Sequence, residues 1–151
     1  MKTPPAPAHQ GATILLVDDN PHGLIARRTV LQELGYIIHT ADGGDEALRL
    51  LALHKMDLVI TDFRMPNMDG LELITQMRQL RADLPIILLS GFVEPLGLTE
   101  QSTGADLVLS KSAGEVGLLI RSVRRLLNHP PARKPLGSEG NSQTKKARNV
   151  G

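Results

Sequence analysis

Four short runs of almost entirely apolar residues recur along the chain, and amphipathic stretches separate them. Strands that are buried on both faces have this composition, and helical segments between such strands are typical of a parallel sheet covered on both sides. A fifth, more mixed run predicts a strand nearer to an edge of the sheet. The four apolar runs are Thr13 to Val17, Leu58 to Ile60, Ile86 to Leu89 and Leu107 to Leu109, and the mixed run is Tyr36 to Ala41. The pattern predicts an α/β fold in which five strands alternate with five helices.

The segments between the runs carry helix signals. Asn20 followed by Pro21 predicts an N-cap and a first turn, and Gly35 predicts the end of that helix. Asp45 and Glu46 predict the first turn of the second helix, and only a short helix is expected between the fourth and fifth strands. Four apolar stripes predict buried helix faces: Leu24, Val30, Leu31 and Leu34; Ala47, Leu48, Leu51 and Ala52; Leu73, Ile74, Met77 and Leu80; Val116, Leu119, Ile120, Val123, Leu126 and Leu127.

Charge divides the chain into a body and two ends. The 151 residues carry 17 Lys and Arg against 16 Asp and Glu. Residues 12–127 hold 11 of the basic and 15 of the acidic side chains, whereas residues 128–151 hold five basic and one acidic. Apolar residues are scarce at both ends, so little of them can be buried. We therefore expect a disordered arm over residues 1–11, a folded acidic domain over residues 12–127 and a disordered basic tail over residues 128–151.

Composition excludes several classes of function. The chain has no Cys, which excludes disulfides, thiolate metal sites and a cysteine nucleophile. Its three aromatic residues are too few for a platform that stacks single-stranded nucleic acid. No apolar stretch reaches the length of about 18 residues that spans a bilayer, and no signal peptide begins the chain. Without a spanning stretch or a signal peptide, we expect a cytoplasmic protein that has no membrane partner. The tail is too short for a helix-turn-helix, so we also expect no sequence-specific DNA binding.

Polar side chains follow the predicted strands at the edge of the sheet where parallel α/β proteins bind ligands. The first strand ends in Asp18 and Asp19, the third in Asp62 and the fourth in Ser90, and the fifth leads to Lys111. Each residue also has a purely structural interpretation, as a helix cap, a turn residue or a surface charge. If all of those interpretations were correct, four strand ends would carry complementary side chains only by accident. One shared site is therefore the favoured interpretation.

Three clustered carboxylates repel one another and must bind a proton or a cation. Mg²⁺ is the natural candidate, because it is a hard divalent ion that prefers oxygen ligands. An ion between Asp19 and Asp62, together with Lys111, would neutralise a phosphoryl group, and Ser90 would donate a hydrogen bond to it. This arrangement suits Asp62 as a carboxylate nucleophile that forms an aspartyl phosphate.

The same residues resemble those of the response-regulator receiver domain of bacterial two-component systems. The resemblance covers residues 12–127 and rests on ILLVDDN, DLVITDFRMPNMDGLEL, PIILLSG and Lys111. It implies a flavodoxin-like (βα)5 three-layer sandwich, with a parallel five-stranded sheet in the order 2-1-3-4-5. It also implies a single-domain response regulator, which is a signalling switch and catalyses only its own phosphotransfer and dephosphorylation.

The resemblance assigns roles around Asp62. This residue would accept a phosphoryl group from a phosphohistidine of a sensor histidine kinase or a histidine phosphotransfer protein, and so switch the binding of an unknown downstream protein. Asp19 and Asp62 would be direct Mg²⁺ ligands, the backbone carbonyl of Arg64 a third, and Asp18 would act through water. Ser90 would be the switch hydroxyl, a hydrogen-bond donor to the phosphoryl group.

Lys111 would be the lysine that pairs with the phosphoryl group, and two residues near it depart from the family pattern. Val108 lies where the family usually has an aromatic residue whose rotamer reports phosphorylation. Ser112 replaces a proline that normally follows the lysine across a cis bond. A cis bond before a residue other than proline costs about 2.5–4 kcal/mol, so we predict a trans bond between Lys111 and Ser112.

Arg64 and Phe92 occupy two variable positions that tune dephosphorylation in the family. We predict that these bulky side chains obstruct the attacking water and lengthen the lifetime of the phosphorylated protein.

Two other functions are alternatives to this interpretation. One is a Mg²⁺-dependent phosphohydrolase of the haloacid-dehalogenase type, which also uses an aspartyl nucleophile but places it on the first strand, with a second Asp two residues later. Here Asp18 is followed by Asp19 and then Asn20. The other is a receiver-like interaction module that acts without phosphorylation, and the complete set of five site residues argues against it.

Overall fold

The computed structural model describes residues 11–91, 97–112 and 114–130. Within these residues, five strands alternate with five helices and form one parallel sheet in the order β2-β1-β3-β4-β5. The strands are β1 (Thr13–Val17), β2 (Ile37–Ala41), β3 (Leu58–Asp62), β4 (Ile86–Ser90) and β5 (Leu107–Ser110). The helices are α1 (Pro21–Glu33), α2 (Gly44–Leu53), α3 (Gly70–Leu80), α4 (Glu100–Thr103) and α5 (Glu115–Asn128). The predicted fold class and strand order are confirmed.

The two faces of the sheet carry two separate apolar clusters. Every side chain of β3 and β4 is buried, as their continuous apolar composition predicts. Side chains of β1 point alternately to the two faces, so Leu15 and Val17 pack with α2 and α3, whereas Ile14 and Leu16 pack with α1 and α5. The result is a three-layer sandwich. β2, the mixed run, is paired only with β1 in the sheet and therefore lies at an edge, as predicted.

The helix signals position the first two helices correctly. The side chain of Asn20 accepts a hydrogen bond from the backbone nitrogen of His22 at 3.0 Å, and α1 begins at Pro21. Gly35 has a φ of 98°, a left-handed conformation that ends the segment after α1. Asp45 and Glu46 lie in the first turn of α2.

Three residues predicted to face the core lie on the surface instead. Leu80 is 59% exposed, Val116 is 45% exposed, and Ala52 is exposed as well. Each lies within two residues of an end of its helix: Ala52 and Leu80 at the C-termini of α2 and α3, and Val116 at the N-terminus of α5. The helix period gives the direction of a side chain, but it does not say whether a neighbouring element covers the terminal turn.

The described residues include only small parts of the predicted arm and tail. Most of the predicted arm (residues 1–11) and tail (residues 128–151) lies outside the described residues, so their disorder stays a prediction. At the C-terminal side, α5 continues one residue beyond the predicted boundary, to Asn128. In the part of the chain that the structure describes, no helix has the length and apolar character needed to cross a bilayer.

Candidate functional site

All five predicted site residues lie at the carboxyl edge of the sheet. Asp18 and Asp19 follow β1, Asp62 and Ser90 are the last residues of β3 and β4, and Lys111 follows β5. These four strands are contiguous in the sheet. The parallel register aligns their ends, because a residue near the end of one strand pairs with a residue near the end of the next. The topology therefore brings together residues that are up to 93 positions apart in the sequence.

Asp18, Asp19 and Asp62 form a carboxylate cluster in which one oxygen from each residue lies within 4.8 Å of the other two. The residues Asp18 and Asp62 are buried, at 2% and 8% exposure, whereas Asp19 is exposed. The cluster thus has two oxygens below the surface and one that is open to solvent. An all-oxygen set of mutually repelling ligands suits a hard divalent cation such as Mg²⁺.

Lys111 supplies a positive charge beside the cluster. Its Nζ lies 2.7 Å from Oδ1 of Asp62 and 3.9 Å from Oδ2 of Asp18. Burial raises the pKa of the Asp62 carboxyl above its ordinary value, and the nearby charge of Asp18 adds to that rise, while Lys111 opposes it. The rise prevails, so one lysine does not offset the repulsion and desolvation in the cluster.

Backbone hydrogen bonds of Ser90 and Gly70 connect the segments that lie next to Asp62. Ser90 is 1% exposed, and its carbonyl oxygen accepts a hydrogen bond from the backbone nitrogen of Lys111 at 3.0 Å. Gly70, the first residue of α3, donates to the carbonyl of Phe63 at 2.8 Å. A Cβ at Gly70 would lie 2.5 Å from the carbonyl oxygen of Asp62, so glycine permits the start of α3 to pack directly on the end of β3.

Arg27, on α1, is a site residue that the sequence analysis missed. Its Nη1 lies 3.0 Å from Oδ2 of Asp18, and its Nε lies 2.7 Å from Oε2 of Glu115. One signal could have revealed it, since Arg27 is spaced three and four residues from Leu24 and Leu31, on the apolar face of α1. Glu115, 88 residues away, could not have been identified as its partner from any local pattern.

Two departures from the family pattern can be placed. Val108 lies in β5, packs against the α2–α3 face of the core, and donates its backbone N–H to Oε2 of Glu100 at 3.0 Å. No peptide bond in the described residues is cis, so the bond between Lys111 and Ser112 is trans, as predicted.

Arg64 is exposed on the loop between β3 and α3, two residues after Asp62. Phe92, the other predicted determinant of dephosphorylation, lies outside the described residues. Their effect on the phosphorylated lifetime stays a prediction.

Residues 14–122 match the family model for the response regulator receiver domain. Among curated relatives, the transcriptional regulatory protein GlrR of Escherichia coli is 41% identical over 84 residues, which are 56% of this chain and 19% of GlrR. The C4-dicarboxylate transport transcriptional regulatory protein DctD of Pseudomonas aeruginosa is 36% identical over 126 residues, which are 83% of this chain and 27% of DctD. This chain thus spans between about a fifth and about a quarter of these relatives.

Solved structures match over nearly their whole length. The response regulator protein TrrA of Thermotoga maritima, in complex with Mg²⁺ and BeF, is 36% identical, with a TM-score of 0.69 over 76% of this chain and 98% of that one. TrrA in complex with the histidine kinase ThkA gives 37% identity and the same TM-score, over 77% of this chain and 98% of that one. The chemotaxis response regulator CheY4 of Vibrio cholerae is 30% identical, also at 0.69, over 77% and 98%.

Proposed function

The chain belongs to the response regulator receiver domain family, and from that premise we propose that it is a switch controlled by phosphorylation of Asp62. The observation that carries the proposal is the contact between Lys111 and Asp62, at 2.7 Å, inside a cluster of three carboxylates. A buried carboxylate at the end of a central strand, with an ammonium group and two further carboxylates beside it, has the groups that phosphoryl transfer with a divalent ion requires.

The reaction proposed for Asp62 is nucleophilic. A carboxylate oxygen forms a bond to phosphorus as the P–N bond to a phosphohistidine breaks, and the imidazole nitrogen keeps that electron pair. Lys111 then pairs with a phosphoryl oxygen, and the hydroxyl of Ser90 donates a hydrogen bond to another. Bound Mg²⁺ supplies further neutralisation of the phosphoryl charge.

The residues proposed to hold Mg²⁺ are those of the carboxylate cluster and the following loop. Asp19 and Asp62 would bind it directly, together with the backbone carbonyl of Arg64, and Asp18 would act through water. Support comes from the all-oxygen donor set, and from burial, which raises the pKa of Asp62 despite the opposing charge of Lys111.

A phosphohistidine protein is the partner that this chemistry calls for. TrrA, a relative that is 37% identical in that structure, is bound to the histidine kinase ThkA. We propose that a sensor histidine kinase or a histidine phosphotransfer protein phosphorylates this chain in the cytoplasm. An unidentified downstream protein then distinguishes the phosphorylated form, because a new doubly charged group at the sheet edge changes the adjoining loops.

The test is phosphoryl uptake in the full chain. Wild type, Asp62→Asn and the exposed control Asp83→Asn are incubated with acetyl phosphate, with and without Mg²⁺, and examined by intact mass. We expect one phosphoryl group on wild type and on the control, only with Mg²⁺, and none on Asp62→Asn. Uptake that persists in Asp62→Asn would overturn the assignment. Continuous release of phosphate from a phosphomonoester would instead support the phosphohydrolase.

A further inference from the structure

Two ion pairs share Arg27 and connect the carboxylate cluster to the first residue of α5. Arg27 contacts Asp18 through Nη1 at 3.0 Å and Glu115 through Nε at 2.7 Å. The side chains of Arg27 and Glu115 are only 11% and 13% exposed, and that of Asp18 is 3% exposed. Charges removed from water to this extent interact more strongly than pairs on the surface.

Both carboxylate oxygens of Asp18 are already engaged. Oδ1 accepts from the backbone nitrogen of Asn20 at 2.9 Å, and Oδ2 accepts from Arg27. A cation that binds near Asp18 therefore shares its negative charge with the guanidinium group. A positive charge at 3.0 Å from Oδ2 of Asp18 opposes the approach of a second positive charge to the same carboxylate.

Glu115 reduces that opposition, because its negative charge partly compensates the positive charge of Arg27. Burial works to lower the pKa of Arg27, but the hydrogen bond and charge of Glu115, followed by those of Asp18, raise it above its ordinary value. The contact with Glu115 is also the shorter of the two, at 2.7 Å. The charge that Arg27 exerts on Asp18 thus depends on a carboxylate at the start of α5.

We infer that Arg27 is a positioning residue that restrains Mg²⁺ binding at Asp18, and that Glu115 relieves this restraint and so couples the metal site to the beginning of α5. The inference rests on the Mg²⁺ site of the proposed function. Coupling free energies are reciprocal, so an ion near Asp18 must strengthen the contact between Arg27 and Glu115 by the same free energy by which that contact favours the ion. This coupling connects the metal site to α5 without Val108, which lies where the family usually has an aromatic residue that reports phosphorylation.

A double-mutant cycle tests the coupling, with Mg²⁺ affinity measured by calorimetry on the full chain. We expect Glu115→Gln to weaken Mg²⁺ binding by about five-fold, within the usual range for coupled sites. Arg27→Gln should tighten binding, and Glu115→Gln should then have little further effect in the Arg27→Gln background. The cycle is needed because an acid in the first turn also stabilises α5 through the helix dipole, whether or not Arg27 is present.

Asp42→Asn is the control for the loss of one negative charge at the same edge of the sheet, since Asp42 is exposed and directly follows β2. We expect Asp42→Asn to weaken Mg²⁺ binding less than Glu115→Gln does. Equal effects of Glu115→Gln with and without Arg27, or weaker binding in Arg27→Gln, would overturn the inference. If Arg27→Gln does not fold, the comparison of Glu115→Gln with Asp42→Asn decides, and equal affinities overturn it.

Amide hydrogen exchange at the start of α5 gives a second readout that a purely local role of Arg27 would not change. Addition of Mg²⁺ should alter exchange at Val116 to Leu118 in wild type and leave it unchanged in Glu115→Gln. A response that survives in Glu115→Gln would contradict the route through Arg27. Wild type that binds no Mg²⁺ would overturn the proposed function as well, whereas normal Mg²⁺ binding with an additive cycle would overturn this inference alone.

Discussion

The ammonium group of Lys111 lies 2.7 Å from Oδ1 of Asp62, so the residue after β5 contacts the residue that ends β3, across the intervening β4. The backbone nitrogen of Lys111 also donates to the carbonyl of Ser90, the last residue of β4. Side chain and backbone of one lysine thus hold two strand ends together. Phosphorylation of Asp62 would draw the ammonium group to a phosphoryl oxygen, and the backbone contact would carry that change into the loop before α5.

Replacement of Lys111 by Met should raise the pKa of Asp62 further. Burial already raises this pKa, and the hydrogen bond and charge of Lys111 are what oppose the rise. The measurement is a ¹³C NMR titration of the Asp62 carboxyl in protein free of Mg²⁺. Lys55→Met, which removes an exposed lysine that precedes β3, is the control and should leave the titration unchanged. An unaltered pKa in Lys111→Met would mean that the contact does not persist in solution.

Asp62→Asn should stabilise the protein free of metal at neutral pH. Because the folded-state pKa of Asp62 is raised, the wild type loses stability as the pH rises from the ordinary aspartate range through that raised pKa. Below this window both side chains are neutral, and the variant has no advantage from charge. Urea denaturation with a chelator, over a pH series, should therefore show a difference in unfolding free energy that grows with pH. A difference that shrinks with pH would show that folding does not raise the pKa of Asp62.

The sequence was sufficient to predict the sheet and the five residues at its edge, because both depend on rules that act strand by strand. Strands buried on both faces leave continuous apolar runs, and parallel topology places all their carboxyl ends at one edge. Arg27 follows no such rule. Its role depends on Glu115, which a tertiary contact brings to it from 88 residues away. The prediction that Leu80 and Val116 are buried is wrong for a related reason, since helix periodicity does not say where the neighbouring layer stops.

Arg78 should contribute strongly to stability at the opposite edge of the sheet. Its guanidinium group bonds to Asp106 at 2.9 Å, and Asp106 also accepts from the backbone nitrogen of Ile86, at 2.8 Å. Three backbone carbonyls complete its partners, those of Ala82, Leu84 and Gly104. Removal of one partner of such a buried pair costs about 3–5 kcal/mol, which we expect for Arg78→Met in chemical denaturation. Arg49→Met, which breaks an exposed pair with Glu46, should cost less than about 1 kcal/mol.

Arg64→Asn combined with Phe92→Ala should shorten the lifetime of the phosphorylated protein. Arg64 is exposed two residues after Asp62, where a long side chain can obstruct the water that attacks the aspartyl phosphate. The measurement is the loss of the phosphoryl group with time, after the donor is removed. Arg49→Asn, which shortens an exposed arginine on α2, should decay like wild type. Faster decay in wild type than in the double variant would contradict the obstruction.

Gly70→Ala should damage the site and the fold together, whereas Gly117→Ala should improve stability. A Cβ at Gly70 would meet the carbonyl oxygen of Asp62 at 2.5 Å and the Cα of Phe63 at 3.0 Å, so the backbone that carries Asp62 must move. Overpacking of this kind costs about 1–3 kcal/mol. Gly117, inside α5, offers its new Cβ only an ordinary 3.5 Å contact with Arg121, and loss of helical glycine gains roughly 0.5–1 kcal/mol. The measurements are chemical denaturation and phosphoryl uptake on both variants. We expect reduced stability and slower uptake for Gly70→Ala only. Normal uptake in Gly70→Ala would show that α3 can move away without moving Asp62.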